Sequence, residues 1–163
     1  GGGVSTPGLK ARLARVRAMA EQEADDAGGR LADDSGFKAR LNALAIEIEA
    51  LEAVELQILA SLSQGDAPGA KSSMMKTVGT ELSQRLTELA LEAAGAYGQA
   101  YQPHATCPGG PTPNFRPPSD RGYVGPDHSL TAAAKYLNDR AGSIYAGTNE
   151  IQRNIIAKAV LGL

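Results

Sequence analysis

The sequence predicts an all-α protein, an up-and-down bundle of four to five helices, and three observations carry that expectation. Apolar residues recur at alternating spacings of four and three, most clearly at Phe37, Leu41, Leu44, Ile48 and Leu51. Residues are 42% hydrophobic but only 4% aromatic, with no tryptophan, so the core is aliphatic and alanine-rich and suits closely packed helices. Glycine and proline clusters separate the periodic stretches, and no convincing strand pattern lies between them.

The first helix is expected over residues 5–24. Thr6 is its candidate cap, Pro7 suits its first position, and Leu9, Leu13, Val16 and Ala20 form a stripe. Its charges oppose the helix dipole, with Lys10, Arg12, Arg15 and Arg17 early and Glu21, Glu23, Asp25 and Asp26 late. Packing must therefore hold this helix, and its C-terminal end should fray. The basic early face is either simply solvated or an attractor for a phosphate-rich ligand. Gly28-Gly29 and Asp33-Asp34-Ser35-Gly36 mark the loop that follows.

The second helix is expected over 37–63, with Ile58 and Leu62 resuming its apolar phase. Glu55 stands where that phase calls for an apolar residue. A carboxylate on a packing seam needs a partner, and Arg85 on the neighbouring helix is the expected one. The alternative is a place beside a bound ligand. The turn Gln64–Gly69 returns the chain antiparallel into a third helix over 69–96. Its inner face is Met75, Val78, Leu82, Leu86, Leu89 and Ala93, and Gly79 allows a neighbour to approach closely.

Residues 97–127 hold seven of the nine prolines and form a long crossing. His104 and Cys107 lie there three apart with no second pair, so no metal site is expected. A fourth helix opens at His128-Ser129 and runs to Asp139, with Leu130, Ala133, Ala134 and Leu137 inward.

At 163 residues the chain is one domain by the usual prior. The net charge of -2 argues against nonspecific nucleic-acid binding, and no run of about eighteen apolar residues suggests a membrane span. A single cysteine excludes an internal disulfide and fits a reducing compartment, so a cytoplasmic location is expected.

The densest information lies in Ser143–Leu163. Gly147 offers a turn, Thr148 or Asn149 a helix cap, and Glu150 a carboxylate in the first turn. Ile151, Ile155 and Ala159, with Ile156 beside them, make one face apolar, and Gly162 ends the helix. A tight turn feeding helix N–H groups is a potential anion site, for a pyrophosphate or a thioester oxygen.

The run Ile144-Tyr145-Ala146-Gly147-Thr148-Asn149-Glu150-Ile151-Gln152-Arg153, continuing through Ile155-Ile156-Ala157, resembles the C-terminal signature of the acyl-CoA dehydrogenase family. The block from Lys76 to Gly95 is similar to the family's long helix that ends in a glycine turn beside the flavin. The resemblance covers residues 35–163 well and the first thirty or so loosely. It implies that residues 1–163 form the C-terminal helical domain of such an enzyme, without its N-terminal and middle domains. The reaction implied is α,β-dehydrogenation of an acyl-CoA thioester to a trans-2-enoyl-CoA. FAD is the implied cofactor, an electron-transfer flavoprotein the electron partner, and a homo-oligomer, dimer or tetramer, the assembly.

Carried over by position, Gly95, Thr148 and Glu150 correspond to FAD contacts, Gly95 toward a neighbouring subunit's cofactor. Tyr145, Ala146 and Gly147 correspond to the segment against the reacting acyl carbons. Many relatives carry the catalytic glutamate where Ala146 stands, so no catalytic residue is expected within this chain. In branches with a small residue there, the base lies on an earlier helix followed by a small Ala-Gly-Gly run. Gly1-Gly2-Gly3-Val4 resembles that run with the base-bearing segment cut away, so the chain is expected to be an inactive fragment. The family's Arg-x-x-Phe-Gly segment for the flavin pyrophosphate has no counterpart. The competing readings are a non-catalytic helical oligomerisation scaffold and an acyl-CoA oxidase-type relative.

Overall fold

The computed structural model describes residues 4–102, 105 and 122–162. Among these the chain forms five α-helices: α1 (Thr6–Gln22), α2 (Ser35–Ser63), α3 (Ala70–Ala93), α4 (Ala132–Asp139) and α5 (Asn149–Ile156). Short 3₁₀ turns link them, and a π-turn over Ala157–Leu161 extends α5. The prolines from Pro103 to Pro118, His104 and Cys107 lie outside the described residues.

The register of charged pairs shows the direction of each helix. Arg40 pairs with Glu92, Arg85 with Glu47, and Lys71 with Gln57, so α2 and α3 run antiparallel. Lys10 bonds Glu52 and Thr6 bonds Glu55, so α1 and α2 are antiparallel as well. Arg140 meets Glu88 while Ser143 meets Lys76, which sets α4 and its 3₁₀ extension antiparallel to α3. The four helices thus run up, down, up and down, with α3 packed against α1, α2, α4 and α5. The all-α bundle expected from the periodicity is the fold observed.

The core joins three stripes: Leu9, Leu13, Val16, Met19 and Ala20 of α1, Phe37 to Leu51 of α2, and Met75, Leu82, Leu86, Leu89 and Ala93 of α3. Each large aliphatic or aromatic side chain buried this way contributes about 1.5–3 kcal/mol. Gly79 lies at the tightest point, where a Cβ would meet Val4 Cβ and Cγ1 at 3.1 Å. The segment before α1 crosses α3 there because the position has no side chain.

Several expectations are corrected. Ser5, not Thr6, caps α1, its hydroxyl accepting from the Gly8 N–H. This frees the buried Thr6 to donate from both its backbone N–H and its hydroxyl to Glu55. Glu55 therefore pairs with the start of α1, and Arg85 pairs with Glu47 at 2.6 Å. The expected Glu55–Arg85 pair fails because the two seams of α2 point to different neighbours, one toward α1 and one toward α3. Two of the late acids are paired at the end of α1: Arg30 binds Glu21 and His128 binds Glu23. Ile58 packs on the core, but Leu62 is 47% exposed, because α2 projects past the end of α1. Of the inward set expected for the fourth helix, Leu130 and Ala133 are buried, whereas Ala134 is half-buried and Leu137 is 54% exposed. The Ile151, Ile155, Ala159 face of α5 also points outward, with Ile151 51% exposed. A polar residue, Asn149, seats that helix instead, as described next.

Candidate functional site

The site is built on a turn held at both ends by α3. After α4 the chain tightens into a 3₁₀ turn at Arg140–Ser143. Arg140 fixes this turn: its guanidinium donates to Glu88 Oε1 at 2.8 Å and to Gln84 O and Thr87 Oγ1, both at 3.1 Å, and stacks 4.4 Å over the Tyr136 ring. On the far side Thr148 caps α5, its hydroxyl accepting from the Ile151 N–H at 3.3 Å. Lys76 of α3 joins the two ends. Its ammonium donates to Ser143 O at 3.2 Å and to Asn149 Oδ1 at 2.7 Å. Asn149, only 3% exposed, donates in turn to Thr80 Oγ1 at 3.1 Å.

Between these anchors the loop Ile144-Tyr145-Ala146-Gly147 bulges outward, with Ile144 and Tyr145 largely exposed. Ala146 has φ +54° and Gly147 φ +86°, so two successive residues are left-handed. Ala146 is the one non-glycine with positive φ among the described residues. An L-residue there costs about 1–2 kcal/mol, and the anchors hold it there. Gln152 Nε2 donates to Ala146 O at 3.4 Å and closes the turn from the α5 side. A Cβ at Gly147 would sit 2.9 Å from that same nitrogen.

Electrostatically the start of α5 is an acceptor surface. The Glu150 carboxylate accepts from its own backbone N–H and from the Thr148 hydroxyl, which holds its pKa below the ordinary value, with weaker help from Arg153 and Lys76. The first-turn N–H of Ile151 is already satisfied by the Thr148 hydroxyl. A second anion would be repelled by Glu150. The Glu150 carboxylate is itself an acceptor, suited to hydroxyl or amine donors.

Tyr145, Ala146, Gly147, Thr148 and Glu150 are brought together in one turn. Gly95 is not. It lies just past the C-terminal end of α3, with φ +54° and nothing within 4 Å of where a Cβ would stand. The turn is anchored at Thr80 and Lys76, about 23 and 28 Å away along the helix at 1.5 Å per residue. One ligand group cannot touch both ends within one chain.

Sequence reasoning missed Lys76, Thr80 and Arg140. A signal existed in α3, where Ser73, Thr77, Thr80, Ser83 and Thr87 place small hydroxyls at spacings of three and four. All five are buried, and Thr80, Ser83 and Thr87 meet Asn149, Asp139 and Arg140.

The sequence profile described as acyl-CoA dehydrogenase, C-terminal domain, matches residues 6–161. No curated protein matches the chain. Among solved structures it is similar to the ChsE4-ChsE5 complex from Mycobacterium tuberculosis, at 26% identity and TM-score 0.68 over 99% of this chain and 37% of that one. It is also similar in fold to butyryl-CoA dehydrogenase from Megasphaera elsdenii, at 19% identity and TM-score 0.69 over 96% of this chain and 34% of that one. The prolyl acyl carrier protein oxidase AnaB shares the fold at 18% identity and TM-score 0.70, over 97% of this chain and 34% of that one. The chain thus spans about a third of the length of these structures. With the profile matched over residues 6–161, the chain belongs to the acyl-CoA dehydrogenase family, as its C-terminal domain.

Proposed function

We propose that this chain is the C-terminal bundle of a flavin-dependent acyl-CoA dehydrogenase that converts an acyl-CoA thioester to a trans-2-enoyl-CoA. The observation that carries the reading is the Tyr145-Ala146-Gly147 turn, strained, outward and locked at both ends by Lys76, Asn149 and Arg140. Strain of this kind persists only where surrounding contacts over-determine it, and it concentrates at ligand clamps.

FAD, when bound, supplies the acceptor for the β-hydride. The chain's own residues suit part of that cofactor. Glu150 and Thr148 present oxygen acceptors to ribose hydroxyls, and Gly95 leaves an open backbone for a cofactor held chiefly by a second copy. In this reading the flavin pyrophosphate is held by residues outside the start of α5. The exposed Tyr145 and Ala146 shape the wall beside the acyl carbons and keep water from them. Ala146 has no titratable group, so the α-proton leaves to a carboxylate that this chain does not supply. The isolated chain then folds and self-associates but turns over no acyl-CoA. The electron partner in this reading is an electron-transfer flavoprotein.

Exchange of the α-proton of a bound acyl-CoA in deuterated water tests the reading. Full-length enzyme carrying alanine at position 146 is expected to exchange it, and neutralising one upstream carboxylate to slow exchange by about 10²–10⁴. Ala146→Glu is expected to restore part of that loss, since its carboxylate projects from the same turn. No exchange in the full-length enzyme, and no effect of any upstream carboxylate, would overturn the assignment in favour of a scaffold role.

A further inference from the structure

A cavity lies away from the signature turn, between α1, α3 and α4. It is an open cleft of about 690 Å³ whose floor includes Val16, Met19 and Leu86. Three cations from two helices line it: Arg12 and Arg15 of α1 and Lys135 of α4. Arg12 is neutralised, bonded to Ser83 and to Asp139 at 3.4 Å. Arg15 and Lys135 are half-buried, and neither side chain makes a hydrogen bond or ion pair among the described residues. Asp127, the remaining carboxylate of the lining, pairs with neither.

Half-buried cations are ordinarily paired, because each loses hydration that a carboxylate must replace. Here the charges worsen one another. Burial holds the Lys135 ammonium below its ordinary pKa, and Arg15 and Arg12 push it lower. Burial and Arg12 act the same way on Arg15. Among the described residues the bundle keeps two uncompensated cations over an apolar floor, which costs stability and leaves charge of one sign. We propose that this cleft is a binding site for a small phosphorylated molecule, its phosphate bridging Arg15 and Lys135 and its apolar body resting on Val16, Met19 and Leu86. The guanidinium fork and the ammonium suit the oxygens of a phosphate, and the volume suits a body of cofactor-fragment size. The site is independent of the flavin-side turn.

Phenyl phosphate and inorganic phosphate serve as probes of the purified full chain, with potassium chloride at matched ionic strength as reference. Phenyl phosphate is expected to raise the melting temperature saturably and to shift the Lys135 and Arg15 side-chain NMR signals. Inorganic phosphate is expected to bind about tenfold more weakly for want of a body on the floor. Arg15→Gln and Lys135→Met are each expected to weaken phenyl phosphate by about tenfold or more, and Lys158→Gln to leave it unchanged. Lys135→Met without ligand is expected to melt higher, because an unpaired charge is removed. Absence of saturable binding, equal binding by the variants, equal affinity for the two probes, or a lower melting temperature for Lys135→Met would each overturn the proposal.

Discussion

Glu55 accepts two hydrogen bonds from one residue, the N–H and the hydroxyl of Thr6, at the first turn of α1. That turn contains no acidic residue of its own. The negative charge favoured at a helix start is therefore supplied across the interface from α2. Glu55→Ala is expected to cost about 1–3 kcal/mol in a urea melt, leaving the buried Thr6 donors unpaired. Glu55→Gln, which keeps an acceptor, is expected to cost less, and Arg85→Gln, which breaks an exposed pair with Glu47, less than about 1 kcal/mol. Ala146 behaves in the opposite sense. Ala146→Gly relieves a left-handed alanine while adding freedom to the unfolded chain, so a gain of about 0.5–1 kcal/mol is expected, and Ala146→Val is expected to destabilise. The depressed pKa of Glu150 has a direction too. Its contribution is present above the ordinary glutamate value and is lost as the pH falls through the lower folded value. Glu150→Gln is therefore expected to flatten the acid limb of a stability–pH curve.

The element that decides the geometry of the turn is α3, whose buried polar side chains are the small hydroxyls of Ser73, Thr77, Thr80, Ser83 and Thr87. Small side chains let α4 and α5 approach until Lys76 and Thr80 reach Asn149 directly. Lys76→Met removes the link between Ser143 and Asn149, and Asn149→Ala removes its other end. Each is expected to cost about 1–3 kcal/mol, and the double variant less than the sum because both sever one network. Hydrogen exchange at residues 144–148 is expected to quicken in either variant while the amides of α2 keep their protection. Protection unchanged in the turn would show that Arg140 and Thr148 hold it without Lys76.

Across the described residues, several large apolar side chains are exposed. Leu56, Leu59 and Leu62 share one side of the end of α2, and Ile151, Ile155, Val160 and Leu161 run along α5 and its π-turn. Soluble monomers rarely leave such continuous apolar surface exposed, so these faces are expected to be buried by association. Light scattering is expected to find the chain oligomeric. Leu59→Asp or Ile155→Asp is expected to shift it toward monomer, with little change in the intrinsic stability of the bundle. A monomeric wild type would overturn the self-association expected of this chain.

The heptad-like stripes of α1, α2 and α3 were legible because burying an apolar face against another helix depends on spacing alone, and spacing is written in the chain. The signature from Ile144 to Arg153 was legible as a pattern, and so was the Thr148 cap, whose chemistry is local. Partners were not legible. Glu55 looked suited to Arg85, yet which of two seams faces which helix depends on how α1 lies across α2 and α3. The apolar stripe of α5 looked like a core face, yet a buried asparagine held by Lys76 turns that stripe to solvent. Sequence by itself determined the helices, their order and the family. Only the tertiary structure decided which polar groups meet, because hydrogen bonds need distance and angle as well as residue type, and residues 73 positions apart acquire both only when α3 brings them together.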